Sequence, residues 1–259
     1  MPDTTTADTA RTGATRTAAA RPTTVWTLLR RNRLAMAGMA VIVLWTAGAL
    51  LSALSPYGAN QTGAGPLLSA PNLSHPFGTD NFGRDILTRV LTGGRVSLWT
   101  GLIAVAISLV VGVPLGALAG FVGGRTGGVV MRIMDVLLAF PQLVLAMAIA
   151  AALGPGMTSA MLAVGIVGIP EFARIMYSQA SSLREREFVE AGTAIGLPGL
   201  TILWRHVIPN ALAPIIVRAT LGMGYAILTA ASLSFIGLGA QPPLSEWGVM
   251  ISDGRSYIL

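Results

Sequence analysis

The chain has 259 residues, of which 53% are hydrophobic and only 11% are charged, and its mean hydropathy is +0.68. Soluble domains carry about a quarter charged residues, so this composition excludes an ordinary water-soluble protein. The absence of cysteine excludes disulfides and thiolate chemistry, and the net charge of +6 comes from 17 arginines whose placement indicates a membrane protein rather than a partner of nucleic acid.

The N-terminal part of the sequence combines a polar tail with a first membrane anchor. Residues 1–24 are rich in Thr, Ala and Arg and show no apolar period, which predicts a disordered cytoplasmic tail. The run Leu34–Leu54 contains no charged residue and is long enough, as a helix, to cross about 30 Å of hydrocarbon. Because the basic sequence "LLRRNR" precedes it, residues 25–56 are predicted to form a cytoplasmic anchor and the first transmembrane helix.

Four further charge-poor runs predict four more transmembrane helices, because lipid cannot satisfy unpaired backbone groups. These runs are Val96–Val122, Val136–Leu153, Gly154–Pro170 and Ala219–Ala240. The expected fold is an all-α integral membrane protein, a polytopic bundle with five transmembrane helices. Residues 57–94 would form an extracytoplasmic segment, and residues 95–259 would form the core with a cytoplasmic loop at 181–210.

The distribution of arginine predicts that the N-terminus lies inside the cell. In that orientation Arg218 lies near or within a span, and four arginines lie outside: Arg84, Arg89, Arg95 and Arg255. Twelve lie on the cytoplasmic side: Arg11, Arg16, Arg21, Arg30, Arg31, Arg33, Arg125, Arg132, Arg174, Arg184, Arg186 and Arg205. Twelve against four agrees with the positive-inside rule.

The loop at 181–210 is unusually polar for this chain and shows signs of a short helix. Ser182 and Glu185 have the spacing of a capping box at a helix start, and Gly196 followed by Leu197-Pro198 indicates a helix stop. The intervening residues carry an apolar stripe at helical spacing, formed by Phe188, Ala191 and Ile195. Two interpretations stay open: a solvated surface helix, or a helix that docks into a soluble partner.

The same loop resembles the EAA loop of permease subunits in bacterial ABC importers. That loop reads E-A-A, three residues, G, nine residues, then I-x-L-P, and here Glu190-Ala191-Gly192, Gly196 and Ile208-Pro209 occupy these positions. The departures are Gly192, His206 and Ile208, which replace alanine, isoleucine and leucine. "RHVIPNALAP" is similar to the variant found in the dipeptide, oligopeptide and nickel permease family.

Three other blocks, in the order of that family, extend the resemblance over residues 25–259. They are "HPFGTDNFGRDILTRVLTGGRVSL" from His75, "MDVLLAFP" from Met134 and "SLSFIGLGAQPPLSEWGVMISDGRSY" from Ser232. The chain looks like the second permease of the pair, with the type I ABC importer fold. Members of the family normally continue into a sixth span, whereas this sequence ends at Leu259, as either a naturally short or a truncated chain.

The resemblance implies which residues couple the permease to its motor. The expected ATPase-coupling residues are Arg186, Phe188, Glu190, Ala191, Gly192, Gly196 and Pro209. Implied partners are a sister permease, cytoplasmic ATPase subunits, an extracytoplasmic substrate-binding protein and the lipid bilayer, with no nucleic acid. The chain itself would bind no cofactor or metal and have no catalytic residue, since ATP and Mg²⁺ belong to the ATPases and no phosphate-binding loop occurs here.

The implied function is that of half of an ATP-driven import path in the bacterial inner membrane. Di- and oligopeptides are the commonest cargo of the family, and nickel, other chelates or haem-like ligands are the alternative. A structural or assembly subunit without transport is the alternative from another class. The block His75–Arg95 resembles a gate or collar beneath the binding protein, or forms an ordered loop, and neither His75 nor Asp80 is expected to be a ligand.

Within the spans, the sequence points to close helix packing and to a few paired charges. A glycine at every fourth position predicts a face of close helix approach, formed by Gly112, Gly116, Gly120 and Gly124. Pro114 and Pro141 predict kinks. Spacing of three residues predicts local ion pairs, Arg132–Asp135 and Glu171–Arg174. Arg218 either faces the translocation path, where it would meet a peptide carboxylate, or reaches towards the cytoplasmic edge.

Overall fold

The computed structural model describes Arg30 and residues 32–257, and its regular secondary structure there is helical apart from one isolated bridge between Thr79 and Asp85. The predicted tail at 1–24 lies outside the described residues. In chain order the helices are α1 (Arg33–Leu51), α2 (Ile86–Val122), α3 (Gly124–Leu138), α4 (Gln142–Leu153), α5 (Met157–Arg184), α6 (Glu187–Ala194), α7 (Gly199–Ile202), α8 (Ile208–Phe235) and α9 (Trp247–Gly254).

The chain divides into two compact units, one ending at Leu44 and the other beginning at Trp45. The described part of the first unit is the start of α1, where the Asn32 side chain accepts hydrogen bonds from the backbone of Leu34 and Ala35, both 3.1 Å long. The large apolar side chains of this part are exposed, which suits a helix surrounded by lipid. The remaining helices belong to the second unit.

The expectation of five membrane spans is confirmed when one bent helix pair is counted as a span. Four of the described helical stretches are long and apolar enough to cross a membrane, and they contain α1, α2, α5 and α8. The fifth candidate joins α3 to α4 with a bend of 92°. The kink predicted at Pro141, within the run Val136–Leu153, is thereby confirmed: Pro141 lacks an amide proton and stands at the break as the N-cap of α4.

Helices α2 and α5 extend well beyond the apolar runs that predicted them, whereas α8 ends at Phe235 and not at the predicted Ala240. Helix α2 begins at Ile86 rather than Val96 because the Asp85 carboxylate caps it, accepting a hydrogen bond of 2.8 Å from the Thr88 amide. Helix α5 continues through Arg184, so Ser182 lies inside a helix and the predicted capping box is wrong. A charged residue ends an apolar run without ending the helix, since only the hydrocarbon excludes it.

Helices α2 and α5 pack along a face of glycines. A Cβ at Gly112 would stand 2.7 Å from the Ile169 carbonyl oxygen, and one at Gly116 would overlap the backbone of Ala173. A Cβ at Gly120 would overlap the carbonyl oxygen of Tyr177, one turn further along α5. Gly124 does not belong to this face, because it starts α3 in a left-handed conformation with open space around it. Three of the four predicted positions are thus confirmed.

Candidate functional site

Helix α6 is a short element with well-defined ends. It starts after Arg186, the N-cap residue, and ends in a Schellman turn in which the Gly196 amide donates to Thr193 and the Leu197 amide donates to Gly192, both at 3.0 Å. Gly196 has φ +81°, a conformation that glycine adopts without steric cost. The predicted helix stop at Gly196 is confirmed, although α6 is shorter at its start than the capping box implied.

The inner face of α6 packs against its own chain. Val189 and Gly192 are buried, and a Cβ at Gly192 would stand 3.3 Å from Ile202 Cδ1. The close approach that this glycine permits is therefore to Ile202 of α7, within the same chain, rather than to a partner as the sequence had suggested. The sequence did not reveal this because α7 is only one turn long.

The outer face of α6 carries three of the seven residues expected to couple to an ATPase, namely Phe188, Glu190 and Ala191. Glu190 and Ala191 are exposed, and Phe188 and Ile195 keep 41% and 77% of their surface accessible. The predicted apolar stripe therefore points away from the chain's own core.

The loop is tightly joined to the helices on either side of it. After α7 a π-helical segment, Leu203–Val207, leads directly into α8, with Leu203 and Val207 fully buried and Pro209 exposed in the first turn of α8. On the other side, Arg184 Nη1 donates to the last carbonyls of α2, at Phe121 and Val122, each at 3.4 Å. These contacts fix the end of α5 against α2 and the start of α8 in the core.

A second polar cluster lies near the middle of α5 and α8. The Arg218 guanidinium forms an ion pair with Glu171 Oε2, and Gln142 Nε2 donates to Glu171 Oε1 at 2.7 Å. Both charged side chains are about a quarter exposed, at 26% and 27%. They line a cavity of about 40 Å³ together with residues of α2.

Both local ion pairs that the sequence predicted are wrong. Asp135 pairs with Arg174 of α5 instead of Arg132, and Glu171 pairs with Arg218 of α8 instead of Arg174. In each case the carboxylate contacts a neighbouring helix, because helix packing brings the guanidinium closer than the spacing along one helix does. Arg218 is thus satisfied inside the bundle rather than at the cytoplasmic edge.

Sequence reasoning missed Gln142 as a member of this cluster. Gln142 is the first residue of α4, and only the sharp turn after Pro141 directs it towards α5. A polar residue directly after a proline within an apolar run was the available signal. Broken helices with polar side chains at the break recur in transporter sites at membrane depth.

A third polar group orders the loop before α2. His75 Nδ1 lies 2.9 Å from Asp85 Oδ1, and both side chains are buried. Burial raises the pKa of the Asp85 carboxyl, but hydrogen bonds from Thr88 and the contact with His75 outweigh this and lower the pKa overall. Nearby, Arg84 Nε lies 2.6 Å from Asp80 Oδ2.

None of these clusters is a metal site. Within residues 32–257, no three His, Asp or Glu side chains are arranged so that they could hold a metal ion. Asp85 is occupied as a helix cap, and Asp80 is engaged with arginine.

These features together are typical of a membrane transport protein. They are a bundle of apolar helices with a broken span, paired charges between its helices, and a short exposed helix in a polar loop. The solved structures include one with this fold, a chain of the MetNI methionine ABC transporter in inward-facing conformations. The TM-score is 0.54 at 19% sequence identity, and the match covers 66% of this chain and 81% of the other.

The chain belongs to the family of binding-protein-dependent transport system inner membrane components, whose model matches residues 112–259. A second model, the N-terminal transmembrane domain of oligopeptide transport permease C, matches residues 23–72. The resemblance drawn from the loop and the other blocks is thereby confirmed. The chain is a multi-pass permease component of a transport system and not an enzyme.

Its similar relatives are permeases of peptide transport systems. A dipeptide transport system permease protein of Alkalihalophilus pseudofirmus is 46% identical, over 89% of this chain and 76% of the relative. A probable D,D-dipeptide transport system permease protein of Escherichia coli is 43% identical, over 91% and 79%. A glutathione transport system permease protein of Pectobacterium atrosepticum is 40% identical, over 88% and 76%.

Proposed function

We propose that this chain is one of two permease subunits of an ATP-driven importer of small peptides in the bacterial inner membrane. Relatives named for dipeptides, D,D-dipeptides and glutathione support a peptide cargo. ATP and Mg²⁺ would be bound by separate ATPase subunits. The observation that carries the proposal is the outer face of α6, where Glu190 and Ala191 lie exposed beside accessible apolar side chains.

In this function α6 docks on an ATPase subunit and transmits its motion to the membrane. Glu190 pairs with or hydrogen-bonds to the ATPase surface, while Phe188 and Ala191 make the apolar contact and Arg186 lies at the start of the helix. Gly196 and Pro209 shape the path of the chain from α6 into α8. Because α5 and α8 flank the loop, closure of the ATPases on ATP tilts both helices and opens the path outward.

The two ends of the bundle face different partners. The arginine count supports a cytoplasmic N-terminus and a cytoplasmic loop 181–210, which leaves residues 57–94 outside the cell. This outer segment exposes large apolar side chains that suit contact with a substrate-binding protein, namely Leu67, Leu73, Phe77 and Phe82. Arg218, in the middle of α8, lies beside the translocation path.

The variant Glu190→Arg tests the docking role. Reversing the charge at the centre of the docking face should reduce co-purification of the ATPases and peptide uptake by at least about tenfold, since a like or unpaired charge at an interface costs several kcal/mol. Arg125→Glu is the control, a charge reversal of the same size in the first turn of α3. Normal assembly and uptake by the Glu190→Arg complex would exclude the proposed contact.

A further inference from the structure

Within residues 32–257, an ion pair beside the cavity joins two different spanning helices. Glu171 lies halfway along α5, and Arg218 lies near the middle of the long stretch Gly199–Phe235. Charged groups at this depth are costly and usually face a substrate path. The two helices that carry the pair are also the two that flank the loop 181–210, so in the proposed mechanism a movement of that loop would act on both members of the pair.

We propose that Glu171 and Arg218 form a binding site for the two charged ends of a peptide, which replace the ion pair between them. Arg218 binds the peptide's terminal carboxylate, and Glu171 binds its terminal ammonium group. This inference rests on the proposed function and adds the chemical group that the path recognises. The site recognises a zwitterion and not a particular side chain, which suits a permease that must pass peptides of varied sequence.

The exchange keeps every charge paired. Before the peptide enters, the carboxylate and the guanidinium neutralise each other, and afterwards each is neutralised by one end of the peptide. A peptide with one blocked end would leave either Glu171 or Arg218 unpaired, and an unpaired charge in this environment is unfavourable. The site therefore favours peptides with both termini free over peptides with one blocked end.

The geometry around Glu171 allows Arg218 to leave. Arg218 contacts Oε2 of the carboxylate, whereas Gln142 donates to Oε1, so the amide of Gln142 remains on Glu171 when the guanidinium moves away. Because the two charged groups touch in this structure, peptide termini reach them only after α5 and α8 separate. The same movement that opens the path would thus expose the site.

The test uses the complete importer with its binding protein in lipid vesicles, supplied with alanine peptides of two to five residues. The quantity measured is the number of peptides imported per ATP hydrolysed. The double variant Glu171→Gln/Arg218→Gln removes both charges; it keeps the shape of the first side chain and shortens the second. The matched control is Asp135→Asn/Arg174→Gln, which removes the exposed ion pair between α3 and α5.

We expect the ratio of peptide to ATP to fall about tenfold in the Glu171/Arg218 variant, because a charge-assisted contact with the peptide is lost. In the control the ratio should stay at the wild-type value. An unchanged ratio would overturn the proposal, whether uptake is normal or uptake and ATP hydrolysis fall together. The ion pair would then only stabilise the packing of the two helices. A wild-type importer that carries no alanine peptide would contradict the proposed function instead.

Arg218→Gln alone tests the assignment of the carboxylate. It is compared on a free alanine peptide and on a C-terminally blocked peptide that the wild-type complex imports. Because the same binding protein serves both variants, dividing the variant's uptake by the wild type's uptake for each peptide removes the selection made outside the membrane. The free peptide should lose about tenfold and the blocked one less than about twofold. Equal losses would overturn the assignment.

Discussion

The Asp85 side chain orders both the start of α2 and the loop before it. It caps α2 and holds His75, and these contacts lower its pKa. A carboxyl whose pKa is lowered by folding makes its full contribution to stability above its unfolded pKa, which is about 4. It loses that contribution as the pH falls through the folded pKa. The stabilising contribution of Asp85 should therefore be constant from pH 7 to about 5 and disappear only in stronger acid.

Thermal unfolding of the purified chain in detergent, compared with Asp85→Asn across this range, measures that contribution. The wild type should unfold at a higher temperature than the variant at pH 7, by an amount that corresponds to about 1–2 kcal/mol for a buried charge-assisted cap. The two proteins should converge below about pH 4. Convergence already at pH 5 would contradict the lowered pKa.

For individual side chains, the sequence indicated which charges lie in apolar surroundings but not which residues they pair with. Arg218 and Glu171 both stand out in apolar surroundings, but spacing along a single helix assigned Glu171 to Arg174. The correct partner depends on how α5 packs against α8, which periodicity does not specify. Long-range pairs of this kind require the tertiary structure.

The turn at Gly196 that ends α6 can be tested by substitution. A Cβ at this position would meet nothing within 4 Å, so the cost of Gly196→Ala comes from its φ of +81° alone. A left-handed alanine costs about 1–2 kcal/mol, which should loosen the end of α6 and raise amide hydrogen exchange at Leu197. Asparagine tolerates this conformation, so Gly196→Asn should change exchange less. Equal exchange in the two variants would contradict the Schellman turn.

Gly116 tests the packing of α2 on α5. An alanine there would overlap the Ala173 backbone, and overpacking a closely packed site costs about 1–3 kcal/mol. Gly224→Ala is the matched control, because a Cβ at Gly224 meets nothing within 4 Å. We expect a lower unfolding temperature in detergent for Gly116→Ala only, and an equal decrease in both variants would exclude the close approach.

The elements themselves were largely predictable from the sequence. Apolar runs identified all five candidate spans, and the spacing of Gly112, Gly116 and Gly120 identified the face that packs on α5. The broken span was predictable only as a kink at Pro141, since the sequence does not specify the size of the bend. The burial of Gly192 was not predictable because it depends on the one-turn helix α7.

Across the whole molecule, the two helices that carry the Glu171–Arg218 pair are also the two that flank the polar loop 181–210. Helix α5 carries Glu171 at its middle and ends at Arg184, beside α6, while α8 begins directly after the π-helical segment and carries Arg218. In the proposed mechanism, a displacement of α6 would reach both members of the pair through these two helices, and one motion would expose the site and open the path.

The contact between α6 and an ATPase is the claim on which this mechanism depends, and the chain's lack of cysteine makes it directly measurable. A single Ala191→Cys can be labelled with a thiol reagent in the isolated chain and in the assembled importer, with Arg125→Cys as the exposed control. We expect Ala191→Cys to react readily in the isolated chain and to be protected at least about tenfold in the complex, as in a fully desolvated interface. Equal labelling in both states would contradict the docking of α6.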